Sequence, residues 1–173
     1  MKNGSDARIV AIDGHDASGK STISALVAHQ LGGVVARAFP DALGGMIGWL
    51  AARKDFATAN DLAHWGVKKA ISDNPDAKVL VFDRHWLTIF TLLPEPFWQS
   101  WSPIPRTVLC RTNAMVTKLR LERRGEATVD LATYERSIAE YLRVADLLDV
   151  PSVDTSYSSP EAAAAAVMDK LHL

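Results

Sequence analysis

The sequence predicts an α/β fold, three layers deep, with a five-stranded parallel sheet between helices. Two observations carry this. Short apolar runs rich in β-branched residues alternate with longer stretches of helical periodicity, the pattern of successive βαβ units. The apolar runs are near-continuous rather than alternating, as in strands covered on both faces. In chain order, residues 8–12, 34–39, 78–82, 107–110 and 151–154 read as strands. Residues 20–31, 43–52, 57–72, 114–122, 131–148 and 160–171 read as helices. In the last of these, Pro160 suits a first helical position, Ser159 can cap it, and the alanine run 162–166 is strong helix former. Only residues 93–106 interrupt the alternation. There Pro94, Pro96, Pro103 and Pro105 surround Phe97, Trp98 and Trp101, which predicts a loop or one short helix.

A length of 173 residues fits one domain spanning the whole chain, large enough to bury a core without a disulfide or metal staple. Lys plus Arg number 19 against 20 Asp plus Glu, so no global charge draws the chain to nucleic acid or to an anionic membrane. Any basic site must be local. The one cysteine, Cys110, sits in an apolar strand, where an inert buried thiol is expected. No window is long and apolar enough for a membrane span and no apolar leader stands at residues 1–8, so the expectation is a cytoplasmic protein without a membrane partner.

The chemistry is concentrated at Gly14-His15-Asp16-Ala17-Ser18-Gly19-Lys20-Ser21. This fits G-x-x-x-x-G-K-[ST] in full, directly after a strand and before a helix. In such a loop successive N–H groups and the positive end of the helix dipole converge on phosphate oxygens. Gly14, His15, Ala17, Ser18, Gly19, Lys20, Ser21 and Thr22 are therefore the expected nucleotide-binding set. Lys20 reaches the β- and γ-phosphates and the Ser21 hydroxyl takes a place on Mg²⁺. His15 is expected to face solvent. Asp16, inside a loop built for anions, must turn its carboxylate away from the phosphates toward whatever lies opposite.

Asp83 and Arg84 follow the third strand at the carboxyl edge of the sheet, where open α/β sheets bind ligands. The alternative is that Asp83 caps the next helix and Arg84 pairs with it on the surface. Lys118, Arg120, Arg123 and Arg124 crowd the end of a helix that runs into Gly125, with Arg120 and Arg124 sharing one face. Trp86, three residues past Asp83, offers an aromatic face that could stack on a base or fill core. The same two readings apply to Trp98 and Trp101.

The set Gly14-x-Asp16-x-x-Gly19-Lys20-Ser21, Phe39-Pro40, Asp83-Arg84 and Val153-Asp154-Thr155-Ser156, in this order, resembles thymidylate kinase and its relatives. The resemblance implies a P-loop kinase fold with a short arginine-bearing lid at about residues 120–130. It also implies transfer of the γ-phosphoryl of ATP, with Mg²⁺, to a nucleoside monophosphate, and a possible homodimer. It casts Lys20, Asp16, Asp83, Arg84, Arg123 and Arg124 as catalytic, Asp83 with Ser21 at the metal, and Arg120 at the donor. Phe39, Pro40, Asp41, His64, Trp65, Arg84, Trp86 and Asp16 fall at the acceptor. Two stretches depart from the family. Asp41 and Ala42 stand where the arginine that holds the acceptor phosphate is expected, so Arg84, Arg37 or Arg53 would have to compensate. The helix over 57–72 lacks the Phe-x-x-x-Arg arrangement that grips thymine and offers His64 and Trp65 nearby. The rivals are a kinase of an unphosphorylated hydroxyl (a nucleoside, a small metabolite or a hydroxymethylpyrimidine within modified DNA) and a regulatory module that hydrolyses ATP slowly.

Overall fold

The computed structural model describes residues 7–172. Five strands form one parallel sheet: β1 (Arg8–Asp13), β2 (Val34–Ala36), β3 (Val79–Asp83), β4 (Arg106–Arg111) and β5 (Ser152–Asp154), in the order β2-β3-β1-β4-β5. β1 pairs with β3 from Arg8↔Val79 to Ile12↔Asp83, and with β4 from Val10↔Arg106 to Asp13↔Leu109. The segments leaving β1 and β3 thus emerge side by side at the carboxyl edge, at the point where the strand order reverses. Ligands of such sheets bind there.

Seven α-helices cover the sheet: α1 (Lys20–Gln30), α2 (Asp41–Ala52), α3 (Phe56–Ser72), α4 (Trp86–Phe90), α5 (Ala114–Arg123), α6 (Leu131–Leu147) and α7 (Pro160–Lys170). On one face α1 and α7 bury Ile23, Val27, Ala163, Ala164, Val167 and Leu171 against Val10, Ile12, Val81, Val108 and Val153. On the other, α2, α3, α4 and α6 close over Leu80, Phe82 and Leu109. Each buried Val, Ile, Leu or Phe side chain among these contributes about 1.5–3 kcal/mol, so the central strands are a firm base for the loops they carry.

The expected cap by Ser159 forms, and the side chains of Asp55, Asn113 and Asp130 likewise accept the N–H three residues on, at the starts of α3, α5 and α6. Two boundaries differ from expectation by more than one residue. β2 ends at Ala36 rather than 39, and α2 begins at Asp41 rather than 43. Pro40, lacking an N–H, cannot extend the ladder and stands in extended conformation before the helix. Residues 86–90 form a helix that periodicity did not announce, because so short a run, four apolar residues about Thr88, fits strand and helix templates alike. The proline-punctuated stretch folds as a 3-10 helix, Glu95–Trp101.

Cys110 is buried, and burial pushes its thiol up to about 12. Trp86 is 1% exposed, with its indole N–H donated to Thr107 Oγ1. It is a core residue and cannot stack on a ligand, which corrects its assignment to the acceptor. Trp98 lies flat on Phe90, and Trp101 donates to Asn60 Oδ1, so both are spent on packing as well. No helix among the described residues is long and apolar enough to cross a membrane.

Candidate active site

The loop between β1 and α1 is held through its carbonyls by side chains, and within it the Ser18 N–H donates to the His15 carbonyl at 3.3 Å. Lys20 Nζ donates to the His15 carbonyl at 2.9 Å. Thr155, just past β5, donates its hydroxyl to the Ser18 carbonyl at 2.6 Å, and Arg120 donates to the Ala17 carbonyl at 3.0 Å and to the Thr155 carbonyl at 2.6 Å. His15 is not solvent-facing but 3% exposed. Its Nδ1 donates to the Asp16 carbonyl and its Nε2 accepts from the Thr112 N–H. Burial holds this imidazole neutral, pushed down to about 4. Gly14 is required by close approach, since a Cβ there would run into the Cys110 carbonyl and the backbone stands at φ 154°. Burial, with Arg84 nearby, pushes the Lys20 ammonium down to about 8.

One cavity of about 590 Å³ brings most of the expected residues together. Asp16, Ala17, Lys20 and Ser21 form its floor. Asp83 and Arg84 come from the end of β3, Phe39, Pro40 and Asp41 from the start of α2, and Arg124 from the end of α5. Arg84 forms an ion pair with Asp16. Burial opposes ionisation of Asp16, but the Arg84 and Lys20 charges outweigh it and hold the carboxyl below its usual range. Arg37 also lines the cavity, its guanidinium 3.6 Å from Asp83 Oδ2. Of the cations that could offset Asp41, Arg53 does not reach in, stacking instead over Trp49 at the end of α2. Glu126 enters from the 124–130 connection and pairs with Arg124 at 3.6 Å.

Gly19, Thr22, Arg120, Arg123 and Arg124 line an adjoining cavity of about 360 Å³ that includes Thr155, Ser158 and Pro160. Arg120 is therefore a strap on the loop backbone rather than a freely closing lid residue, while Arg123 and Arg124 are exposed at the helix end. His64 and Trp65 are not brought to the main cavity. His64 stacks on Trp101 at 4.2 Å and lines a groove beneath α3, and Trp65 points to solvent. Their assignment to the acceptor is corrected accordingly: α3 turns its Ala59, Ala63 and Gly66 side inward, and positions 64 and 65 fall outside that stripe.

Two residues escaped the sequence reading. Asp13, at the end of β1, is fully buried and accepts from His85 and Thr88. Its only trace is an ionisable residue closing an apolar strand. Glu126 carries no signal beyond its place near Gly125.

A metal ion fits the donor set present. Asp83 Oδ1 and Ser18 Oγ are buried without a hydrogen-bond partner among the described residues, and Ser21 and Asp83 share the cavity wall. One carboxylate and one hydroxyl beside substrate phosphates is a typical Mg²⁺ environment.

Solved structures share this architecture. Deoxyadenosine kinase from M. mycoides with bound dATP superposes with a TM-score of 0.65 at 16% identity, over 96% of this chain and 100% of that one. The chain has the P-loop kinase fold. The same kinase with the products dCMP and a flexible dCDP bound gives 0.58 at 16% identity, over 95% of this chain and 98% of that one. The YorR protein of Bacillus subtilis, in complex with phosphorylated GDP, gives 0.65 at 14% identity, over 95% and 96%. No family model matches the sequence, and none of the curated proteins does.

Proposed function

We propose that the protein transfers the γ-phosphoryl group of ATP to a nucleotide or nucleoside acceptor. The observation that carries this reading is the single cavity in which a full phosphate loop, the Asp83–Arg84 pair and the start of α2 face one another. ATP enters with its phosphates on the loop N–H groups and Lys20, and the adjoining cavity by Thr155 and Pro160 takes the rest of the donor. The acceptor enters from the α2 side. Its hydroxyl oxygen attacks the γ-phosphorus in line, the bond to the bridging β–γ oxygen breaks, and the hydroxyl proton leaves to a carboxylate or to water. Catalysis of this kind is chiefly positioning and charge neutralisation. Lys20 and Arg84 neutralise the equatorial oxygens, and Arg124, with Arg123, adds charge when the 124–130 connection closes. Ser21 and Asp83 would hold Mg²⁺, which would supply positive charge against the charge developing in transfer. Asp16 keeps Arg84 aimed over the loop.

In the finer, thymidylate kinase-like reading the acceptor is a nucleoside monophosphate. Arg37, on the cavity wall, supplies the cation missing at position 41. A second reading, an unphosphorylated hydroxyl, is favoured by Asp41 on the same wall and by the engagement of Arg37 with Asp83. Competition among a nucleoside, its monophosphate and a hydroxymethylpyrimidine oligonucleotide for labelled ATP separates them. Label on the monophosphate supports the first, and label only on the others sinks it. ADP release that no acceptor stimulates and that leaves no phosphorylated product would sink the kinase reading altogether.

A further inference from the structure

We infer that Asp13 is a positioning residue for Asp83 and Arg84, an inference that rests on the phosphotransfer reading. Asp13 ends β1 and is fully buried. Its carboxylate reaches across to the segment leaving β3. Oδ2 accepts the His85 N–H at 3.0 Å, and Oδ1 accepts the Thr88 N–H at 3.2 Å and the Thr88 hydroxyl at 2.5 Å. Tyr141 on α6 donates its hydroxyl to Thr88 Oγ1 at 3.0 Å and so supports the network from behind. The start of α4 has no side-chain cap of its own. A carboxylate from the neighbouring strand does that work.

Between these anchors stands Arg84 at φ 73°, in the left-handed region that a long side chain rarely adopts. Such a conformation persists where the surroundings over-determine it. Here the Arg84 N–H donates to the Ile12 carbonyl at 3.1 Å, so consecutive residues of β1 grip the turn, Ile12 at position 84 and Asp13 at 85 and 88. The turn sends the Arg84 guanidinium back over the phosphate loop to Asp16 and leaves Asp83 on the cavity wall. A carboxylate is required because all three partners are donors, and an amide would set its NH₂ against one of them.

Asp13→Asn tests this by two readouts. Backbone hydrogen exchange over residues 84–90 is expected to quicken by about tenfold or more while α1 is unchanged. In the same variant kcat is expected to fall about tenfold or more, with the affinity for ATP alone staying within about twofold, because Asp13 makes no bond to the phosphate loop. Should that variant fail to fold, Thr88→Val removes one of the three donors to Asp13, together with the oxygen Tyr141 bonds to, at nearly constant volume, and is expected to move both readouts the same way by a smaller factor. Unchanged exchange over 84–90, or a fall in kcat matched by an equal fall in ATP affinity, overturns the inference. If the native protein transfers phosphoryl to no acceptor, the phosphotransfer reading fails, and the exchange measurement alone decides the role of Asp13.

Discussion

On the donor side of the cavity four carbonyls of the phosphate loop are fastened by side chains: Lys20 holds His15, His15 holds Asp16, Arg120 holds Ala17 and Thr155 holds Ser18. On the acceptor side Arg37 has a side chain 67% exposed and stands 3.6 Å from Asp83, and Asp41 is exposed at the start of α2. The donor half is backbone shaped by buried hydrogen bonds. The acceptor half is side chains of both signs on a surface. A nucleoside triphosphate is recognised by its phosphates, which are common to all donors, so a rigid loop suffices. An acceptor differs from its competitors by base, sugar and charge, and exposed side chains can be exchanged without disturbing the core.

The largest effect should come from the donor side. Lys20→Ala is expected to lower kcat by about a thousandfold or more with the circular dichroism unchanged, since its charge acts on the phosphoryl in flight. Unaltered turnover would remove the loop from the mechanism. Next, Arg84→Ala bridges the two halves and should cost about a hundredfold in kcat with little change in ATP affinity, measured by steady-state kinetics beside calorimetry. Arg37→Ala should act on the acceptor alone, raising its KM by about one to two decades if the acceptor carries a phosphate, the value of a lost charge-assisted contact. An unchanged KM would point to an unphosphorylated acceptor.

Two pH effects follow from the donor half. Burial and the Arg84 charge push the Lys20 ammonium down to about 8, against 10.5 for an unperturbed lysine, and a bound triphosphate would restore its charge. Binding should therefore take up a proton, and ATP affinity should fall by up to about tenfold between pH 7 and 9. Calorimetry in buffers of different ionisation enthalpy reads the proton directly, and Lys20→Ala should abolish it. His15 and His85 are pushed down to about 4 and about 3, chiefly by burial, against 6.5 when exposed. The unfolded chain then binds more protons than the native one below pH 6.5, so their contribution is full above that pH and is lost as it falls. The loss is about 2 kcal/mol for each by pH 5. Urea unfolding at pH 7 and pH 5 measures it, and His15→Gln should flatten the dependence.

The donor half was legible in the sequence because a glycine-rich loop between a strand and a helix depends on spacing along the chain. The five strands were legible for a similar reason, their apolar runs being local. What was not legible depends on side chains meeting across elements. His15 looked like loop surface until Thr112 arrived from β4 to donate to it. Trp86 looked available until Thr107 took its indole N–H. Arg120 looked like a lid residue, and only the meeting of α5 with the β5–α7 connection turned it inward. Asp13 had no motif to announce it, because its partners lie more than seventy residues away.

Thr155 ties the loop at Ser18 to a residue 137 positions later, and α7 packs on α1 beyond it. A ribosome delivers the first of these long before the second. Through most of synthesis the nascent chain therefore carries a phosphate loop whose sequence is complete but whose shape is unfinished, and the loop gains its tie at Ser18 only as the last strand emerges. Termination anywhere before β5 would leave a fragment whose loop lacks the tie at Ser18.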